Sequence, residues 1–227
     1  ILPASLNEQA IMGCCKKYNA ELLSSIDIDN LPNETAPIKD CDGKSECVLM
    51  FTSGTTGQSK AAILNNSAVM QGTVNGCYGY KDVFNQKYLL VLPLFHVFGL
   101  IRNLMTSLYT GSCLFICQNQ QEMFKDIEKF KPTMLVSVPA VVEIGLKLSK
   151  LYKRNMFGEN MKTIIAGAAA VSPYLVKECA KYNINLCPGY GLTESANLIS
   201  GNPESALKPE SVGLPFPNQE FKIVDGE

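Results

Sequence analysis

The sequence predicts an α/β fold: a mostly parallel sheet flanked by helices on both faces. Two observations carry this. Short, near-continuous apolar runs read as strands buried on both sides, and segments of helical pattern about 11–15 residues long separate them. A third is that the unusual Gly- and hydroxyl-rich stretches each follow one of those runs, where an α/β sheet places its ligands. Composition agrees with a folded core, with 46% hydrophobic and 18% charged residues in 227.

Taken in order, residues 7–19 have helical character, and 31–46 are polar and rich in turn residues, hence a loop. "CVLMF" (47–51) is a strand, and "AAIL" (61–64) a second one after a Gly/Thr loop. "NNSAVMQGTVNG" then opens with Asn and Ser suited to cap a helix. "YLLVLPL" (88–94) is a buried strand, "GLIRNLMTSLYTG" a helix ended by Gly111, and "SCLFIC" (112–117) a strand. Met123, Phe124, Ile127 and Phe130 form one helical stripe. "TMLVSV" (133–138) is a strand, and Pro139 begins a helix reaching about Lys153. "KTIIAG" (162–167) is a strand. Ser172 and Pro173 start a helix over 172–183, and "INLC" (184–187) is a further strand. "FKIVD" (221–225) alternates and is expected to start a different sheet.

The net charge of −1 gives no electrostatic footprint for nucleic acid or an anionic membrane. No uncharged run is the roughly 20-residue apolar span a bilayer requires, and no basic-then-apolar leader pattern is visible. Ile1 in place of Met, and an end just after a strand-like run, predict a segment of a longer protein. The nine cysteines are odd in number and form no CxxC pair, which argues against a disulfide framework and a zinc ribbon. Reduced, structural thiols in a cytoplasmic protein are expected, with Cys47, Cys113 and Cys117 lying in apolar runs. A single histidine makes a His-based metal site untenable.

Thr52, Ser53, Gly54, Thr55, Thr56, Gly57 and Lys60 form a loop fit for phosphate. Glycines let backbone N–H groups turn toward an anion, hydroxyls add donors, and the lysine adds a point charge. A P-loop would need Gly at Ser59 and a hydroxyl at Ala61, and would open directly into a helix; "KAAILNN" reads as a strand. The stretch instead resembles the phosphate loop of the adenylate-forming superfamily, which comprises acyl-CoA synthetases, luciferases and nonribosomal adenylation domains. It departs from [ST]-S-G-T-T-G-x-P-K-G at Ser59 and Ala61. Three further stretches match in the family's order: "LPLFHVFGL" (92–100), "AGAAAVS" (166–172) and "GYGLTES" (189–195). "SVGLPFPNQEFKIVD" (211–225) is similar to the family's entry into a barrel-like β subdomain.

What the resemblance implies is specific. Lys60 and the Gly/Thr loop hold the β- and γ-phosphates. His96 is a pocket-wall residue near the carboxylate and the thiol's route of entry; taken alone, a histidine on an apolar stretch is more often a core residue. Gly167, Ala168 and Ala169 border the adenine, and Tyr190, between Gly189 and Gly191, stacks on it. Thr193 offers a hydroxyl to the α-phosphate, and Glu194 is the Mg2+ ligand. Catalytic roles thus fall to Lys60, His96, Thr193 and Glu194. ATP, Mg2+ and CoA are the implied cofactors and co-substrates, and a carboxylic acid the substrate.

The implied organisation is a helix and loop over 1–45, an α/β AMP-binding core over 46–210, and the start of the β subdomain over 211–227. The implied activity is that of a carboxylic acid–CoA ligase for a fatty or aryl acid, acting through an acyl-adenylate. The isolated segment is expected to be inactive, because the family's ribose-binding Asp, its hinge and the lysine of its C-terminal lid have no counterpart here. An adenylation domain serving a carrier protein is the alternative, although no Asp stands near His96 to hold an α-amino group. A homologue that binds nucleotide without catalysis is the third reading.

Overall fold

The computed structural model describes residues 12, 13, 15–17, 19, 40–52, 60–78 and 83–224. The chain divides into two compact units, residues 1–42 and 43–227. In the first, the described residues 12, 13 and 15–17 are helical; the rest of the expected helix, and the expected loop over 31–39, lie outside the described residues.

The second unit holds a seven-stranded sheet in the order β4-β3-β5-β6-β7-β8-β9. Its strands are β3 (Lys87–Leu90), β4 (Cys113–Ile116), β5 (Met134–Ser137), β6 (Thr163–Ala166), β7 (Asn185–Gly191), β8 (Leu198–Gly201) and β9 (Leu214–Pro215). Pairing is parallel from β4 through β7 and antiparallel for β8 and β9. The mostly parallel α/β expectation is met.

Both faces of the sheet are covered, so alternate residues enter different cores. Leu89, Leu135, Ile164 and Leu186 pack with α3 (Met123–Phe130), α4 (Pro139–Tyr152) and α5 (Pro173–Ala180) through Ile127, Val142, Leu146 and Val176. Their neighbours Tyr88, Met134, Val136, Ile165 and Cys187 face the opposite way, onto Phe98 and Phe216. Phe98 opens a π-helical run, Phe98–Met105, that passes into the short α2, Thr106–Tyr109; the chain then turns at Gly111 with φ +62°. Helix starts follow the sequence signals. The Asn65 side chain accepts the Ala68 N–H at 2.8 Å to cap α1 (Asn66–Asn75), Pro139 opens α4, and Ser172 caps α5 ahead of Pro173.

Four expectations are corrected. The strands flanking the Gly/Thr loop, β1 (Glu46–Thr52) and β2 (Lys60–Asn65), do not join the main sheet but form a two-stranded antiparallel hairpin of their own. Residues 53–59 between them are too few for a parallel crossover, which takes a dozen or more, but suffice for an antiparallel turn. Next, β7 does not stop at Cys187 but continues through Gly191. Pro188 is tolerated because it sits on the last parallel rung, opposite Ala166, after which the strand exchanges β6 for β8. Residues 221–224 form no strand: the alternation is there, but Phe221 and Ile223 are exposed and no strand pairs with them. The prolines and glycine before them instead add β9 to the main sheet, and the described residues show no barrel-like start; Asp225 lies outside them. Finally, Cys47 and Cys113 are exposed and Cys117 half-buried, since the hairpin and the edge strand β4 each leave a face open. Among the described cysteines the buried thiols are Cys179 and Cys187, and burial pushes both up to about 12.

Candidate functional site

The carboxyl ends of β3, β5, β6 and β7 surround a cavity of about 790 Å³. That is the size of a small-molecule site. His96 reaches it from the segment after β3, Ala168 from the segment after β6, and Gly191 and Thr193 from the end of β7 and the turn beyond. Three of the four stretches singled out from sequence therefore meet in one pocket.

Each is held there by local structure. The segment after β3 is knotted by its own backbone: the His96 N–H donates to the Pro93 carbonyl, and the His96 carbonyl accepts from Gly99 and Leu100 to start the π-helical run. No β-carbon fits at Gly99, where it would stand 2.3 Å from the Pro93 carbonyl oxygen. His96 is itself exposed, its ring 4.7 Å from that of Phe95. After β6, Gly167 is buried against Phe98 and Leu198, while Ala168 and Ala169 are exposed. Ala168 holds φ +63°, a left-handed conformation costing roughly 1–2 kcal/mol in a non-glycine residue. Such strain is concentrated at ligand sites.

The β7–β8 turn carries Thr193, half-buried, and Glu194, exposed. Ser195 staples it, its Oγ accepting the Leu192 N–H at 3.0 Å and lying 2.7 Å from the Asn197 carbonyl. Gly189 is buried within β7, and Tyr190 points outward at 44% exposure. Ala169, Gly189, Tyr190 and Glu194 do not line the cavity among the described residues; Glu194 and Tyr190 stand beside residues that do.

The fourth stretch is built differently. Thr52 and Lys60 face each other on the last rung of the β1–β2 hairpin, and the Thr52 Oγ1 donates to the Lys60 carbonyl at 3.4 Å. They form the neck of the Gly/Thr loop, and Lys60 is exposed. Ser53, Gly54, Thr55, Thr56 and Gly57 lie outside the described residues. No group of three or more His, Cys, Asp or Glu side chains among the described residues could hold a metal ion.

Sequence reasoning missed part of the lining. Val138, the N-cap of α4, and Val141, Ile144 and Leu148 along that helix line the cavity, as do Gln120 and Asn197. The Gln120 Nε2 donates to the Val91 carbonyl at 2.7 Å, clipping the segment after β4 to the end of β3. The strand-then-Pro139 junction was the available signal, since it occupies the same sheet edge as the other motifs. Nothing in the sequence marks Gln120.

Fold and pocket together define an α/β domain with a cavity of small-molecule size at the carboxyl edge of its sheet. Residues 7–227 match the family model described as AMP-binding enzyme, and the chain belongs to that family. It is 32% identical over 189 residues to 4-coumarate--CoA ligase-like 6 of Arabidopsis thaliana, covering 78% of this chain and 33% of that protein. It is 31% identical over 198 residues to the mitochondrial malonate--CoA ligase ACSF3 of Mus musculus, with 78% and 33% covered. Among solved structures, o-succinylbenzoate CoA synthetase from Bacillus subtilis in complex with the acyl-adenylate intermediate OSB-AMP superposes with a TM-score of 0.78 over 99% of this chain and 45% of that one, at 24% identity, a likeness of fold. The N-terminal domain of FACL13 from Mycobacterium tuberculosis gives 0.71 at 25% identity, with 80% and 46% covered. The chain spans about a third of the length of the curated relatives it matches.

Proposed function

We propose that this chain forms the nucleotide- and acid-binding part of an AMP-forming ligase that joins a carboxylic acid to CoA through an acyl-adenylate. The observation that carries the reading is the convergence of His96, Ala168, Gly191 and Thr193 on one cavity at the carboxyl edge of the sheet. Membership of the AMP-binding enzyme family, and relatives named as CoA ligases, support it. Residues 46–210 are taken as the functional core.

In the first half-reaction a carboxylate oxygen attacks the α-phosphorus of ATP, and pyrophosphate leaves. In the second, a thiol sulfur attacks the acyl carbon, and AMP leaves with the bridging oxygen. Charge builds on phosphate oxygens, so catalysis is chiefly positioning and electrostatic stabilisation. Lys60, at the neck of the Gly/Thr loop formed by Thr52, Ser53, Gly54, Thr55, Thr56 and Gly57, holds the leaving phosphates. The Thr193 hydroxyl donates to the α-phosphate. Gly167, Ala168 and Ala169 border the adenine, Tyr190 offers it a ring face between Gly189 and Gly191, and His96 walls the acyl end. Glu194 is an exposed hard-oxygen donor, and no group of three or more His, Cys, Asp or Glu side chains among the described residues could hold a metal ion unaided, so Glu194 would hold Mg2+ together with the nucleotide. Bound there, Mg2+ neutralises phosphate charge.

The acid carries an uncharged tail. Among the described residues lining the cavity there is no Lys, Arg, Asp or Glu, and Val141, Ile144, Leu148, Met123 and Phe124 make its far wall apolar. A second carboxylate would be desolvated there without a partner. A fatty acid therefore fits better than the diacid in the name of the malonate ligase. The free thiols among the described cysteines support a reducing compartment such as the cytoplasm, and no described helix is long and apolar enough to cross a membrane.

The test is ATP-dependent pyrophosphate release by the full-length protein with hexanoate, dodecanoate, cinnamate, malonate and a set of amino acids. Release with the monoacids is expected, and Thr193→Ala should lower kcat about 100-fold, as loss of one charge-stabilising donor does. No release with any acid overturns the ligase reading, malonate as the best substrate overturns the uncharged tail, and release with amino acids alone reassigns the chain to carrier loading.

A further inference from the structure

The turn that bears Thr193 and Glu194 ends in a buried asparagine that the family motif does not include. Asn197 is 2% exposed, and both ends of its amide are engaged. Its Nδ2 donates to the Gly72 carbonyl at 2.6 Å, 125 residues away in sequence. Its Oδ1 accepts the Leu198 N–H at 2.6 Å, which fixes the amide orientation: one contact needs a donor, the other an acceptor.

Gly72 belongs to α1, and its carbonyl is among the last four of that helix, which lack an intrahelical partner. Asn197 supplies one from across the molecule. The approach is close because residue 72 has no side chain. A β-carbon there would lie 3.3 Å from the Ala196 carbonyl oxygen, 3.3 Å from the Asn197 Cβ and 3.2 Å from Ile101. Ala196, fully buried at φ +63°, turns the chain so that Asn197 faces α1. It packs in one cluster with Leu64 of β2, Val69 of α1 and Ile101.

α1 follows β2 without a break, and β2 begins at Lys60. The tie therefore joins the turn carrying Thr193 and Glu194 to the element that carries Lys60. We propose that Asn197 is a positioning residue that holds the β7–β8 turn in register with the β1–β2 hairpin, so that the two ends of a triphosphate are gripped in one geometry. This rests on the ligase reading for its chemistry; the tie itself is a contact of the fold.

The experiment compares Asn197→Asp and Gly72→Ala with the parent full-length protein. Asp keeps the size and the acceptor to Leu198 but loses the donor to Gly72, whereas Gly72→Ala presses on the same contact from the α1 side, outside the cavity. Both should lower kcat for pyrophosphate release about 10- to 100-fold, the cost of a misplacement of order 1 Å. Both should weaken equilibrium ATP binding in calorimetry and leave the KM for dodecanoate within about two-fold. Hydrogen exchange at residues 192–198 should quicken in both. Unchanged kcat and ATP affinity in Asn197→Asp, measured well below its Tm, overturn the proposal, as does a change in the acid KM alone. If the parent releases no pyrophosphate, the ligase reading fails and hydrogen exchange still decides the tie: slow, parent-like exchange at 192–198 in Asn197→Asp overturns it.

Discussion

Gly145, in the middle of α4, looks like a weak point, since glycine costs about 1 kcal/mol relative to alanine in a helix interior. Phe157 explains it. That ring is fully buried, and a β-carbon at residue 145 would lie 2.2 Å from it. Gly145→Ala should therefore destabilise despite its better helix propensity. Overpacking costs about 1–3 kcal/mol, and a contact this short with a fully buried ring belongs at about 2–3, against a gain of about 1. The net loss of about 1–2 kcal/mol should lower Tm by about 2–8 °C. An unchanged or higher Tm would show that the ring moves aside freely. The same residue scale governed what could be read in the sequence. Lys60, His96, Ala168 and Thr193 stood out because Gly, hydroxyl and charged residues are rare between buried strands. Asn197 and Gln120 did not, because their work is done through carbonyls 125 and 29 residues away.

Between elements, α4 and α5 are joined by charge. Glu178 on α5 has a side chain only 7% exposed, and Lys150 on α4 reaches it at 2.8 Å. Lys181 pairs with it from its own helix, and Lys150 also contacts the Tyr174 hydroxyl at 2.8 Å. Hydrogen bonds from Lys150, then from Lys181, hold the Glu178 carboxyl below the usual glutamate range. A carboxyl with a depressed folded pKa gives stability that is present above the unfolded value of about 4.3 and is lost as the pH falls through the folded one. Glu178→Gln should thus melt earlier than the parent at pH 7, with the gap closing as pH drops below about 4. A gap of equal size at pH 3 and pH 7 would assign the effect to packing. Element identity was largely legible, since caps and apolar periods are local signals: Ser172 and Pro173, Asn65, and the 123–130 stripe each sit where the structure uses them. Element partnership was less so. The separateness of the β1–β2 hairpin was implicit in a connection too short for a parallel return, whereas the end of β7 was hidden by Pro188, which reads as a strand breaker until its exchange of partners is known.

At the scale of the whole chain, strand order is what brings the motifs together. The order β4-β3-β5-β6-β7 is set by long-range pairing, which leaves no local mark in the sequence; the shared carboxyl edge followed from the parallel pattern alone. Among the described residues, every part of the cavity, all nine strands and both faces of the core fall within residues 43–227, and the chain divides between Asp42 and Gly43. If residues 43–227 hold their own core, the contacts that stabilise it do not depend on residues 1–42. A chain beginning at Gly43 should then melt cooperatively, with a Tm within about 4 °C of the 227-residue chain, since less than roughly 1 kcal/mol shifts a domain of this size by no more than that. Near-ultraviolet circular dichroism should keep its tyrosine and phenylalanine signal, because Tyr88, Phe98, Phe157 and Phe216 all lie within the retained unit and are buried there. A broad, non-cooperative melt with loss of that signal would show that residues 43–227 do not hold a core of their own.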